Sequence, residues 1–354
     1  MLVKYLGASY DNKSNSFIPR REFLENGLFR MTQPKFLNDK SEAKFYPYID
    51  KFSTADIDYA RKRHSLSGIT SNVSEPSEEF LINFYLKPPG IRYVPENFPT
   101  LLGFTDYSTL EEYKSAQKKH ILKAVEKFNT YIYEALSSQI GVFSLSENAT
   151  DKRMWAHYAS EGKGLAIIFR ENHPFFKEFR LSKVSYDIRD RASISYYDGT
   201  FRVDGEPVRK YEYADDLGDL RFSDLLSKDF RKNMELSQKL LFTKTNGWSY
   251  EQERRLICPL SMCEEKKGRN IEPNFPEHTP KSISKYFKSY PEVCLKKIPF
   301  EAFDSVVFGY DMSKSQINET IEKINTNPYL KHLELKQADF DIYGKIILKE
   351  LYLP

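Results

Sequence analysis

The 354-residue sequence holds only three cysteines, Cys258, Cys263 and Cys294, with no Cys-x-x-Cys pair and no two histidines at zinc-ligand spacing. Nothing in it reads as a structural zinc module. An odd, sparse thiol count points to a reducing compartment. No run approaches the ~18 apolar residues that a membrane span needs. The N-terminus lacks the charged, apolar and small-residue succession of a signal peptide. These absences together lead us to expect a soluble cytoplasmic protein with no membrane partner. Charge of one sign is also scarce: 53 Lys and Arg stand against 50 Asp and Glu, a net +3. That is not the balance of a dedicated nucleic-acid binder, although local basic patches are compatible with it. There is no Gly-x-x-x-x-Gly-Lys-Ser/Thr phosphate loop, no Gly-x-Gly-x-x-Gly and no His-Glu-x-x-His. Without a Gly-x-Ser-x-Gly elbow, a serine hydrolase of that type is disfavoured.

What is present is a large apolar and aromatic content, 40% and 15% of residues. That suffices for a sizeable core. Met1–Leu6 and Leu28–Thr32 read as strands, and Phe17–Gly27 as a short helix with Gly27 as its C-cap. Ser108–Ser138 is the clearest long helix, with an apolar stripe through Ile121, Ala124, Phe128 and Ile132. Ile140–Leu145 reads as a buried strand, with Ser146 as a candidate N-cap for the helix that follows, Lys152–Ser160. The pair Gly162 and Gly164 ends that helix and opens a strand over Leu165–Phe169. Pro88–Thr100, with four prolines, is irregular, and Asp219–Lys244 is helical through Leu225, Leu226, Phe230, Leu236 and Leu240. Ala302–Tyr310 is a strand, Ser313 caps a helix over 313–326, and two strands close the chain. Helices and strands alternate irregularly, so the expected class is α+β. We expect one domain over 1–354, with a mainly helical insertion over 40–138.

The most informative stretch is Asn246–Ile257, Asn-Gly-Trp-Ser-Tyr-Glu-Gln-Glu-Arg-Arg-Leu-Ile. Asn-Gly signals a turn, and the residues after it favour a strand. Alternation then puts Ser249, Glu251, Glu253 and Arg255 on one face, and Trp248, Tyr250 and Leu256 on the core side. Two carboxylates two residues apart on a strand lie roughly 6–7 Å apart. Such a pair suits an active-site strand, or a solvated face on which the glutamates pair with Arg254, Arg255 or a neighbouring strand. On the Lys152–Ser160 helix, Trp155 and Tyr158 share a face, which suits core packing or a stacking wall for a planar ring. His157 between them suits a packed residue or an acid–base group. Asn38, Asp39 and Glu42 could join Glu251 and Glu253 around a divalent metal, as in a metal-dependent nuclease.

Four segments carry a resemblance: Lys4-Tyr5; Asn38-Asp39; Met154-Trp155-Ala156-His157-Tyr158-Ala159; and Trp248-Ser249-Tyr250-Glu251-Gln252-Glu253-Arg254-Arg255. Together they resemble a widespread, largely uncharacterised bacterial family with Lys-Tyr, Asn-Asp-Pro, Met-Trp-x-x-Tyr-Ala and Trp-x-Tyr-Glu-x-Glu-x-Arg motifs. Lys40 stands where that family has proline. The family in turn resembles, more distantly, the ADP-ribosyltransferases, through an early basic residue, the Phe143-Ser144 strand, an aromatic helix and a late Glu-x-Glu strand. The resemblance implies a split or strongly bent sheet, NAD as substrate, no metal, and a macromolecular acceptor, protein or nucleic acid, or water. It implies Glu253 as the catalytic carboxylate, with Glu251 facing the acceptor. It further implies Lys4 or Arg30 on the dinucleotide, and Tyr5, Ser144, Trp155, His157 and Tyr158 around the nicotinamide. Proteins of the family look like accessory genes of defence or toxin type. The alternatives to this reading are the metal-dependent nuclease and a non-catalytic interaction module.

Overall fold

Leu165–Phe169, Leu-Ala-Ile-Ile-Phe, has no polar face, and all five residues are buried. A strand of that kind must be covered on both sides. In the computed structural model, which describes residues 1–13, 15–68, 75–87, 109–197, 200–210, 230–275 and 289–351, it lies inside an eight-stranded sheet. The spatial order is Ile346–Glu350, Glu334–Phe340, Phe303–Phe308, Leu165–Phe169, Leu2–Leu6, Ile140–Ser146, Glu253–Pro259 and Ser182–Lys183. Neighbours pair antiparallel except Phe303–Phe308 with Glu334–Phe340. Parallel neighbours need a crossover, supplied here by the helix Lys314–Thr326, which Ser313 caps by accepting from the Gln316 N–H.

The period of two separates two cores. Leu165, Ile167 and Phe169 face one side, with Leu2, Phe29, Phe143 and Phe303. Ala166 and Ile168 face the other, with Val3, Tyr5, Trp155 and Val307. Three smaller sheets complete the described strands: Tyr46–Ile49 with Ser193–Tyr197, Thr200–Val203 and Glu206–Lys210; Leu28–Met31 with Tyr290–Lys297 and Glu265–Ile271; and the hairpin Ala8–Asp11/Ser16–Pro19. The protein is α+β.

Between residues 40 and 138 the described chain forms the strand Tyr46–Ile49, the helices Thr54–Leu66 and Glu78–Leu81, a π-helical turn Ile82–Leu86, and all but the last residue of the 30-residue helix Leu110–Gln139. That long helix runs directly into Ile140–Ser146 and packs Ile121, Val125, Phe128 and Ile132 against Ile194, Phe201 and Leu240. Pro88–Thr100, expected to be irregular, and Leu225 and Leu226 of the helix expected over 219–244 lie outside the described residues; the described helix there is Phe230–Leu241.

Three local expectations are corrected. Ser16–Pro19 is a hairpin strand, so the helix expected from Phe17 is confined to Phe23–Asn26. It does end at Gly27, in the left-handed region at φ 72°. Asp151, not Ser146, caps the helix Lys152–Tyr158. The Glu-rich strand begins only at Glu253, because Asn246–Glu251 coils as a 3-10 helix and Gln252 reverses the chain at φ 44°. Among the described residues, no helix is long and apolar enough to cross a membrane.

Candidate active site

Gln252 sets the geometry of the site. A strand from Trp248 would have separated Glu251 and Glu253 by a full pleat repeat. The 3-10 turn and the left-handed Gln252 instead fold the two carboxylates onto one cation. The turn is pinned by the Ser146 hydroxyl, which donates to the Glu251 carbonyl (2.7 Å). The strand start is pinned by the Glu253 N–H, which donates to the Tyr186 hydroxyl (2.8 Å). Trp248 and Tyr250, expected in the core, are half-buried. Their rings lie against cations instead, Lys244 over Trp248 at 4.8 Å and Arg153 over Tyr250 at 4.1 Å.

Lys244 lies just past the end of the Phe230–Leu241 helix, its N–H bonded to the Ser185 carbonyl (2.9 Å). Its ammonium reaches Glu251 at 2.6 Å, Glu253 at 3.3 Å and Glu42 at 3.5 Å. Arg255, one pleat along the strand from Glu253, donates to both oxygens of Glu253 (2.7 and 2.9 Å), to Glu42, and to the Leu241 carbonyl (2.6 Å). None of Glu42, Lys244, Glu251, Glu253 and Arg255 is more than 5% exposed. Ions buried this deeply persist only when paired and hydrogen-bonded.

The two glutamates are shifted in opposite directions. Burial works against ionisation of Glu253, but Arg255, then Lys244, then hydrogen bonds from Arg255 and Ser144 outweigh it and hold the carboxyl at about 2. Burial dominates at Glu251 and raises its carboxyl, with Lys244 pulling it back and Glu253 pushing it up. Two neighbouring carboxyls driven apart in this way are a pattern found at acid–base sites. The Tyr158 hydroxyl donates to Glu251 (2.5 Å) and accepts from the Asn38 side-chain amide (3.1 Å). Burial, then the hydrogen bond to Glu251, raises the Tyr158 hydroxyl well above its usual value.

Glu251 and Glu253 line a cavity of about 330 Å³. Its wall also carries Lys4, Tyr5, Ser144, Tyr158, Phe36 and Asn38, with Arg20 and Arg30 exposed. Two expected residues lie elsewhere. Trp155 is fully buried in the sheet's second core, donating its indole N–H to the Ala149 carbonyl (2.9 Å) and meeting Tyr5 edge-on. It cannot stack on a ligand. His157 is exposed and faces Tyr250 with ring centroids 6.3 Å apart, outside the cavity. The helix face shared by Trp155 and Tyr158 is thus divided: one residue packs the core, the other reaches Glu251. Asp39 is also turned away, accepting from the Ser41 N–H (2.8 Å) and the Thr245 hydroxyl (2.9 Å). Lys244, Arg20 and Phe36 were not legible as site residues, because no spacing in the sequence links them to the glutamates.

Residues 154–256 match a family described as a protein of unknown function (DUF2971). The match covers under a third of the chain. It begins in the helix that carries Tyr158 and ends in the strand that carries Glu253 and Arg255, with Lys244 and Glu251 between. The segment is thus similar to an uncharacterised family across most of the buried charge network. No curated protein and no solved structure matches the chain.

Proposed function

We propose that the protein is an ADP-ribosyltransferase-like enzyme. It would cleave NAD at the nicotinamide–ribose bond in this cavity and pass ADP-ribose to a macromolecule or to water. The observation that carries the reading is one cavity wall holding two electrostatically split carboxylates together with Lys4, Arg20 and Arg30. Departure of nicotinamide builds positive charge on the ribose, which a fixed carboxylate in a desolvated site stabilises. Glu251 suits that role better than Glu253. Each Glu251 oxygen has one partner, Tyr158 or Lys244, and keeps acceptor capacity. Both Glu253 oxygens are engaged by Arg255, and one of them also by Lys244, so Glu253 orients the network. Exposed Arg30 and Arg20 suit the pyrophosphate. Tyr158 and Phe36, in place of Trp155, suit the flat nicotinamide. A volume of about 330 Å³ matches part of a dinucleotide, with the remainder over the rim.

The nuclease reading would put a divalent ion among Glu42, Glu251 and Glu253. The Lys244 ammonium already lies within 3.5 Å of all three, and Asp39 faces other partners. The decisive measurement is nicotinamide release from NAD in EDTA, with protein and nucleic-acid acceptors supplied in turn. Wild-type protein is expected to release nicotinamide, and Glu251→Gln to lose a factor on the order of 10²–10³ in rate while still binding NAD. Wild-type protein that neither binds nor consumes NAD would defeat the proposal. EDTA-sensitive cleavage of nucleic acid would promote the nuclease.

A further inference from the structure

Lys4, half-buried, differs from the buried cations Lys244 and Arg255 on this wall. Lys244 is held by three carboxylates, and Arg255 by two and the Leu241 carbonyl, whereas Lys4 makes no ion pair among the described residues. Its ammonium donates to the Ser144 carbonyl (3.0 Å) and lies 4.9 Å from the centre of the Phe143 ring. An ammonium has three donors, so two are left for whatever enters the cavity. We propose that Lys4 is a nucleophilic amine that forms an imine with a phosphate-bearing aldehyde or ketone admitted to this cavity. The inference goes beyond NAD cleavage and does not require it.

The electrostatics supply a usable amine. Burial lowers Lys4 to about 8; Glu253 and then Glu251 oppose the shift, and Arg30 adds to it. Roughly a tenth of such a group is unprotonated at pH 7, against well under a hundredth for an ordinary lysine. Amines desolvated beside another cation are the kind that attack carbonyls. The Nζ lone pair forms a C–N bond to the carbonyl carbon. The C=O π pair moves to oxygen, which takes up a proton while the nitrogen gives up one of its two, giving a neutral carbinolamine. The hydroxyl takes up a second proton and leaves as water as the nitrogen lone pair forms C=N, and the remaining Nζ proton is released, so the two protons gained by oxygen equal the two lost by nitrogen and no oxidant or reductant is consumed. Glu251, raised by burial and bonded to Tyr158, lies on the same wall to supply and collect protons. Arg20 and Arg30 favour a ligand carrying phosphate.

The test uses the full chain with substoichiometric pyridoxal 5′-phosphate at pH 8. Borohydride then reduces any imine to a stable secondary amine, and peptide mapping locates it. Lys4 is expected to carry at least ten times the adduct of any other lysine. Its labelling rate should rise with a midpoint near pH 8, and pyridoxal without the phosphate should label it about tenfold less. Mapping on the wild type makes the result independent of whether a Lys4→Arg variant folds. Adducts spread over other lysines with Lys4 bare, or a midpoint near pH 10.5, would overturn the proposal. Equal labelling by the two aldehydes would overturn the phosphate-bearing ligand class. Nicotinamide release is measured separately, so Lys4 labelling without NAD turnover would support this inference while counting against the function above.

Discussion

The Arg255 guanidinium sits between Glu253 and Glu42, with the Leu241 carbonyl at its third edge. Removing it would leave three buried carboxylates, Glu42, Glu251 and Glu253, sharing the one Lys244 ammonium. Breaking a buried pair on one side costs about 3–5 kcal/mol, far more than the pair contributes relative to a well-packed apolar replacement. Arg255→Met is therefore expected to lower unfolding stability by about 3–5 kcal/mol in a denaturant titration, and adding Glu253→Leu should return part of that loss. A single-variant loss within about 1 kcal/mol would mean that the network does not sustain the fold. At this scale the sequence was partly legible. Glu253 and Arg255 share a strand face, as alternation requires, and they do pair, but in a buried network rather than on the solvated face to which the sequence pattern assigns such a pair. Glu42 could be grouped with them by residue type alone. Lys244 could not, because it follows a helix and reaches the strand through a turn whose course depends on Gln252.

At the scale of elements, the best-read unit is the one built from helix, glycine turn and strand. The Lys152–Tyr158 helix ends at Ala159, and Ser160 and Glu161 already turn through the left-handed region at φ 50° and 56°, so the glycines do not end the helix as expected; Gly162 and Gly164 lead into Leu165–Phe169, and the reason each is glycine is physical. Gly162 has φ 81°, in the region that favours glycine. A Cβ on Gly164 would lie 2.1 Å from the Leu6 carbonyl oxygen, a backbone atom that cannot step aside. The Gly164 carbonyl also accepts from the Gly309 N–H (3.0 Å), tying three strands of the main sheet at this point. Gly164→Ala is thus expected to cost about 3 kcal/mol, the upper part of the range for overpacking. A melting temperature within about 2 °C of wild type would show that the strands can separate there without loss. The element read least well is Asn246–Glu251. Asn-Gly signals a tight turn into a strand, but the chain stays coiled for six residues, Asn246–Glu251. Its aromatic residues mimic a strand pattern while lying against Lys244 and Arg153.

For the whole molecule, the α+β class followed from irregular alternation, whereas the smaller sheets did not. Tyr46–Ile49 pairs in parallel with Ser193–Tyr197, more than a hundred residues away, and no local pattern encodes such a partner. A global property that does follow from named groups is stability against pH. Lys4 has a folded value of about 8 against 10.5 for an unperturbed lysine. Between those values the unfolded chain binds the extra proton, so Lys4 makes stability rise with pH there. Other groups act in the opposite sense near the same window. The Cys258 contact and burial push the Cys263 thiol up to about 12, and burial pushes the Tyr186 hydroxyl up to about 12, so the unfolded chain loses those protons first. The wild-type curve alone therefore does not isolate Lys4, but its difference from Lys4→Met does, since the other groups are common to both proteins. Losing the hydrogen bond to Ser144 costs about 1 kcal/mol at every pH and cancels from the slope. The stability of wild type relative to Lys4→Met is expected to rise by about 1–2 kcal/mol from pH 7 to pH 10, less than the full shift implies because the residue is half-buried. A flat difference across that range, read from urea midpoints, would mean that Lys4 keeps an ordinary ammonium, and the amine chemistry proposed for it would fall as well.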